Sequence, residues 1–140
     1  MDLGIKDRLF VVTGATAGLG NGVARALLND NASIIAVARD ENNLNEFSKS
    51  SPGRVEQVAG DVTQSETIDK IVKQLNGRYL GGLLVNEGGP PATSFLETDL
   101  ADWDAAYQSL LRWKVELTKA LLPVFRQQKY GRIVFVESYS

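Results

Sequence analysis

The chain has 140 residues, of which 44% are hydrophobic and 23% charged, a composition typical of one globular domain spanning residues 1–140. Its 15 basic and 17 acidic residues give a net charge of −2. No block of like charge is long enough to follow a phosphate backbone, which argues against nucleic acid and anionic membranes as partners. Cysteine and histidine are absent, which excludes disulfides, thiolate nucleophiles, serine–histidine triads and imidazole bases.

The first ten residues carry a charge already at the second position and do not form the apolar core of a signal peptide. No stretch approaches the roughly 18 apolar residues of a membrane span. Together with the lack of cysteine, these features lead us to expect a cytoplasmic protein.

Short apolar runs typical of buried strands alternate with helical patterns along the chain. The strands are predicted at residues 8–13, 33–38, 54–59, 81–86 and 132–136. Such alternation predicts right-handed crossovers and a parallel, doubly wound α/β sheet of about five strands in the order 3-2-1-4-5.

The first two connections are predicted to be helices. Residues 20–29 repeat apolar side chains at helical spacing, and the expected buried face consists of Val23, Ala26 and Leu27. Asp40 is placed to cap a short second helix that buries Leu44 and Phe47.

The later helices carry more local signals. Thr63 and Glu66 have the spacing of a capping box, and the apolar side chains that follow fall on one helical face: Ile68, Ile71, Val72 and Leu75. A long helix is predicted from Trp103 onward, kinked or tightened near Pro123, with Gly131 ending the segment.

Three glycines, Gly14, Gly18 and Gly20, stand between the first strand and the first helix in the stretch "TGATAGLG". Glycines here let the amide groups of a helix N-terminus meet a pyrophosphate. Their spacing differs from the G-x-G-x-x-G fingerprint. Two interpretations are open, a dinucleotide site and a tight connection without a ligand, and the position after the first strand of an α/β pattern favours the first.

The end of the second strand is where dinucleotide folds select between cofactors. Arg39 stands there and has the geometry to bind a 2′-phosphate, whereas Asp40 is committed to capping the next helix. The pattern favours NADP, with NAD as the alternative.

Four stretches, in this order and spacing, resemble the short-chain dehydrogenase/reductase family: "TGATAGLG", "GDV", "LLVNEGG" and "GRIVFVES". The resemblance extends from Leu3 to Ser140 but covers only about the first half of a typical member. It implies a Rossmann-like domain that is incomplete at its C-terminal side relative to the family.

The resemblance also implies site residues. The cofactor-binding positions would be Thr13, Gly14, Thr16, Gly18, Leu19, Gly20, Arg39, Asp61, Val62, Asn86 and Gly88. Ser138 aligns with the serine that polarises the substrate carbonyl. Glu87 and Gly88 depart from the Asn-Asn-Ala-Gly sequence that the family has at this loop.

The tyrosine and lysine that complete the family's proton relay are missing. No tyrosine of this chain has a lysine four residues later, because these positions hold Leu83, Leu111 and Val134, and Tyr139 has no residue that far on. Leu110 stands where the family has a relay asparagine. Tyr139 is a substitute proton donor without a visible cationic neighbour. Catalysis by this chain alone through Ser138 is therefore not expected.

Two carboxylates, Glu87 and Glu137, stand at strand ends where doubly wound folds bind ligands. They would bind a cation or repel an anionic substrate if they faced the site, and solvated loop positions are the favoured interpretation. Trp103 and Trp113 cannot share a helical face, so one is expected in the core and the other on an association surface.

The fifth strand is predicted to be an uncovered edge, which favours a homo-oligomer or a complementing C-terminal chain as partner. The leading hypothesis is the NADP(H)-binding part of an oxidoreductase that transfers hydride between nicotinamide and a carbonyl or alcohol. The alternative is a non-catalytic dinucleotide-binding or association module.

Overall fold

The computed structural model describes residues 2–89 and 91–138. Its strands are β1 (Leu9–Thr13), β2 (Ser33–Ala38), β3 (Val55–Ala59), β4 (Leu80–Val85) and β5 (Ile133–Phe135). Its helices are α1 (Gly18–Asn29), α2 (Glu41–Lys49), α3 (Ser65–Leu75), α4 (Leu100–Tyr107) and α5 (Trp113–Gln128), with a 3₁₀ turn at Phe95–Glu97 before α4.

All strands of the sheet are parallel and lie in the order β3-β2-β1-β4-β5, which confirms the predicted architecture. Each face of the sheet is buried under helices. On one face, β1 and β4 pack with α3 and α5 around Trp113, Leu117 and Ile71. On the other, they pack with α1 and α2 around Leu28 and Leu44. Since both faces are covered, the carboxyl edge of the strands is the open side that ligands reach in such folds.

Helix α1 presents a different face from the predicted one. Its buried residues are Gly20, Ala24 and Leu28, whereas Val23 is exposed. A side chain on Gly20 would collide with the Gly14 carbonyl, so α1 lies against the strand–helix loop through its smallest residues. Close packing, rather than the largest apolar side chains, sets the rotation of this helix.

The predicted capping box of α3 is wrong. The helix begins at Ser65 after Gln64, which makes no side-chain capping bond. The hydroxyl of Thr63 instead donates to the Asp61 carboxylate at 2.7 Å. Because Gln64 is the N-cap, Thr63 lies one residue before it, and the Thr63 hydroxyl and amide complete a local turn with Asp61 instead.

The irregularity in the long helical segment lies elsewhere than predicted. A π-helical turn, Gln108–Arg112, separates α4 from α5, whereas Pro123 sits inside α5 without ending it. The helix ends at Gln128, and its C-cap residue, Lys129, adopts a left-handed conformation with φ of 56°. Gly131 packs against the Phe125 ring and does not terminate α5. As predicted, one tryptophan, Trp113, is core.

Candidate functional site

The β1–α1 loop contains three glycines, and two different physical reasons account for glycine at these positions. A Cβ on Gly14 would lie 2.8 Å from the side-chain nitrogen of Asn86, and a Cβ on Gly20 would collide with the Gly14 carbonyl. Both glycines are therefore required by the packing of the protein itself. Gly18 has a φ of +52°, but a Cβ there would meet no atom within 4 Å. The space beside Gly18 is therefore open: apart from the strain of the positive φ, a side chain there would collide only with a bound ligand.

The N-terminus of α1 offers uncapped amide donors beside this open space. Its N-cap is Ala17, which has no side chain able to cap, and the first turn contains no acidic residue. By contrast, Asp40 caps α2 by accepting from the Asn43 amide at 2.9 Å, as predicted. Uncapped first-turn amides and the positive end of the helix dipole together favour an anion, so the residues present fit a pyrophosphate.

Thr13 supports this loop from beneath. Its side chain is fully buried, and its hydroxyl accepts a hydrogen bond from the backbone amide of Asn86 at 2.7 Å. The same hydroxyl donates to the carbonyl oxygens of Leu84 and Asn86, each at 3.0 Å. The hydroxyl thereby joins the carboxyl ends of β1 and β4. Since its bonding capacity is used within the protein, Thr13 positions the loop and Asn86.

The two regions predicted to bind the adenosine half of the dinucleotide lie at the ends of β2 and β3. Arg39 is exposed at the end of β2, and no described side chain pairs with it in a salt bridge. Asp61 is exposed, and one of its carboxylate oxygens accepts both the amide and the hydroxyl of Thr63. Val62 is buried, so contact with a ligand there would be made by its backbone.

The remaining predicted residues line the same edge. Thr16 is half-buried, Leu19 is 68% exposed, and a Cβ on Gly88 would meet no atom within 4 Å. Ser138 is exposed beyond β5, and the Val136 amide extends the β4–β5 pairing by donating to the Val85 carbonyl at 3.0 Å. The structure thus brings Asn86 and Ser138 to neighbouring strand ends, whereas Tyr139 and Ser140 lie outside the described residues.

One charged contact at this edge was not predicted. Lys114, in the first turn of α5, donates to the Glu137 carboxylate at 2.5 Å, and its side chain is only 5% exposed against 60% for Glu137. The expectation that Glu137 is simply solvated is therefore incomplete. One sequence signal could have indicated that Lys114 is buried: it lies at helical spacing from Leu117 and Leu121, on the buried face of α5.

An open cavity of about 420 Å³ lies at the opposite, amino-terminal edge of the sheet, lined by residues that include Arg8, Glu56 and Arg78. Its guanidinium groups are largely engaged within the protein, as in the Arg78–Glu56 salt bridge at 2.7 Å. Because doubly wound sheets bind ligands at the carboxyl edge, we assign the functional site to the glycine loop.

Within residues 2–89 and 91–138, no three acidic, histidine or cysteine side chains are grouped so as to hold a metal ion. No helix in this described part has both the length and the apolar character to cross a membrane.

Comparison with known proteins agrees with this geometry. The family model of short chain dehydrogenases matches residues 8–140. An uncharacterised oxidoreductase of Staphylococcus epidermidis is 29% identical over 97% of this chain and 60% of its own length. An oxidoreductase of Botryotinia fuckeliana is 35% identical over 94% of this chain and 49% of its own length.

The crystal structure of L-sorbose reductase from Gluconobacter frateurii, complexed with NADPH and L-sorbose, superposes with a TM-score of 0.87 at 28% identity. The match covers 96% of this chain and 54% of that one. The chain therefore spans about half to three fifths of the length of these relatives.

The sheet order and the glycine loop at its carboxyl edge define a Rossmann-like α/β protein. The family match adds the specific assignment: the chain belongs to the short-chain dehydrogenase family, which confirms the resemblance seen in the sequence.

Proposed function

We propose that this chain is the NADP(H)-binding part of a short-chain dehydrogenase-type oxidoreductase. The observation that carries the proposal is the uncapped N-terminus of α1 beside the open space at Gly18. The NADPH complex of L-sorbose reductase supports the nature of the cofactor. NADP rather than NAD is proposed because Arg39 is exposed at the end of β2 without a salt-bridge partner among the described residues.

The predicted regions divide the cofactor between them in this proposal. The first-turn amides of α1 bind the pyrophosphate, and Arg39 binds the 2′-phosphate. Asp61 and the backbone of Val62 would hold the adenine, and the Asn86–Gly88 loop would hold the nicotinamide half. Bound NADPH supplies a hydride for a carbonyl carbon, and Ser138 donates a hydrogen bond to the carbonyl oxygen.

We propose further that turnover requires residues this chain does not contain. Ser138 supplies a hydrogen bond but no proton relay, because no Tyr-x-x-x-Lys is present in the sequence. An unassisted phenol, with a pKa near 10, is a poor proton relay at neutral pH. The reaction therefore belongs to a larger protein or complex in which tyrosine and lysine complete the site.

Titration of the purified chain with NADPH, followed by the cofactor's fluorescence, tests binding. Saturable binding that NADH displaces only weakly is the expected result, with no oxidation of NADPH when carbonyl compounds are added. Turnover by the chain alone would contradict the missing-relay argument. Failure to bind either dinucleotide would contradict the proposed function. Binding that stays unproductive in the complete protein would identify a non-catalytic dinucleotide module.

We also propose that the chain associates, either with a second copy or with a complementing chain. Strand β5 pairs only with β4 among the described strands, and Val134 on it is 53% exposed. Apolar side chains at the start of the long helical segment are also exposed, among them Leu96, Leu100 and Trp103. A surface of this kind is typical of an interface.

A further inference from the structure

The segment that carries Ser138 has few restraints of its own. Strand β5 is three residues long and lies at the sheet edge. Between described residues, two hydrogen bonds hold positions 136–138: the Val136 amide to Val85, and Lys114 to the Glu137 carboxylate. A short edge strand with exposed side chains specifies its register weakly, and a slip of one residue moves each side chain to the other face.

The sheet face that Ser138 takes is set by alternation along this segment. Ile133 packs in the cluster on the α3 and α5 face, and Val136 packs in the cluster on the α1 and α2 face. Glu137 bonds to Lys114 of α5, which agrees with the same alternation. By this alternation Ser138 belongs to the sheet face that α1 and α2 cover. On that face the side-chain amide of Asn86 lies against the glycine loop.

Stability alone does not account for the Lys114–Glu137 pair. The Lys114 side chain is 5% exposed while that of Glu137 is 60% exposed, and burying a charge has a desolvation penalty that an apolar pair of similar volume avoids. What an apolar pair lacks is the directional, charge-assisted bond that distinguishes one register from the next. Setting register is the best-attested specificity role of buried polar and ionic groups.

We propose that Lys114 is a positioning residue that, through Glu137, fixes the register of residues 136–138 and holds Ser138 on the face of the glycine loop. This inference rests on the proposed function for its chemical meaning, since Ser138 is the group that meets the carbonyl. Its structural content does not depend on cofactor binding.

Backbone ¹⁵N relaxation of the full chain tests the proposal. In the wild-type chain we expect order parameters of about 0.85 at residues 136–138, and in Lys114→Met values below about 0.6 at Glu137 and Ser138. Exchange of the Val136 amide should accelerate at least about tenfold, and Lys114→Arg should restore both properties. Lys119→Met is the matched control, because Lys119 lies on α5 and is exposed.

The double variant Lys114→Met with Glu137→Leu separates positioning from stability and remains informative if Lys114→Met does not fold. It removes both charges, so we expect a thermal midpoint close to that of the wild type together with continued mobility at residues 137 and 138. Rigid residues 137 and 138 in the double variant, or unchanged order in a folded Lys114→Met, would overturn the proposal. The same variants should bind NADPH within about twofold of the wild type. If the wild type binds no NADPH, the proposed function fails while the relaxation data still decide this inference.

Discussion

At the scale of single residues, Gly18 offers a test that separates ligand binding from backbone geometry. Gly18 and Gly53 both have positive φ, and a Cβ on either would meet no atom within 4 Å. Alanine at each position should cost a similar 1–2 kcal/mol of folding stability, at about the level expected for left-handed backbone. Only Gly18→Ala places a methyl group where the pyrophosphate would lie, so we expect it alone to raise the Kd for NADPH, by about tenfold or more.

Chemical denaturation and fluorescence titration of the two variants give the stability and the affinity separately. Equal affinity of Gly18→Ala and Gly53→Ala for NADPH would mean that the glycine loop serves only the packing of α1. That result would favour the interpretation of a tight connection without a ligand.

Arg39 determines, in our proposal, which dinucleotide is preferred. Hydrogen bonds to a charged group contribute about 1.5–3 kcal/mol. Arg39→Ala should therefore weaken NADPH binding by at least about tenfold and leave NADH affinity within about twofold. Competition titrations with both cofactors measure the ratio. Arg25, which stacks on the Phe47 ring, is the control arginine. Parallel losses for NADPH and NADH in Arg39→Ala would argue against 2′-phosphate recognition.

At the scale of elements, the ion pair between Glu56 of β3 and Arg78 in the turn that follows α3 predicts a pH dependence. The Arg78 guanidinium holds the pKa of the Glu56 carboxyl below its ordinary value of 4.5, burial opposes this shift, and the Gln74 amide adds to it. A lowered folded-state pKa gives stability that is present above pH 4.5 and is lost as the pH falls through the folded value. Because Glu56 is 35% exposed, solvent screening limits the contribution to about 0.5–1 kcal/mol.

Urea denaturation of the wild type and Glu56→Gln at several pH values measures this contribution. The stability difference should be constant near neutral pH and vanish below the folded pKa of Glu56. Glu46→Gln is the control, because the Glu46–Lys49 pair is more than two thirds exposed and should contribute almost nothing. A difference that persisted unchanged at the lowest pH would assign the effect to packing instead of charge.

The same elements show what a sequence can predict. Strand positions and the Asp40 cap depend on local composition and short-range spacing, and the predicted strand bounds were correct to within about a residue or two. The strand order, which follows from the alternation of strands and helices, was also correct. The buried face of α1 was missed because Gly20 and Ala24 pack through their small size, which a search for large apolar residues overlooks. Lys114 was missed because its partner Glu137 lies 23 residues away, a distance at which helical or strand periodicity carries no information.

Site prediction follows the same division. The glycine loop and Arg39 were proposed because each stands at the end of a predicted strand, and parallel strands bring their carboxyl ends to one edge. Ser138 was proposed from the family resemblance, and all of these site residues remain predictions. The bonds from Thr13 to Asn86 join two such ends and could not be foreseen from either stretch alone. Tertiary hydrogen bonds of this kind decide which predicted residues face a ligand and which support the loop.

At the scale of the whole molecule, exposed apolar residues recur in two stretches of the chain, the segment that leads into α4 and the edge strand β5. Leu96 is 93% exposed, and Phe95, Leu100 and Trp103 are exposed nearby along the chain, while Val134 and Phe135 are exposed on the edge strand. The packed core therefore does not account for these apolar residues. Unpaired backbone groups along β5 add a second reason for another chain to bind there.

These two reasons for association are separable by substitution. If the backbone edge of β5 drives association, the wild-type chain at micromolar concentration should sediment as a species larger than its 15.2 kDa monomer, and Val134→Lys should shift it toward the monomer, because lysine on an edge strand opposes strand pairing. Val72→Lys, at an exposed valine of α3, is the control and should leave the distribution unchanged. If Leu96→Lys produces the monomer and Val134→Lys does not, the helical surface is the interface. A wild-type chain that is strictly monomeric would contradict self-association through either surface.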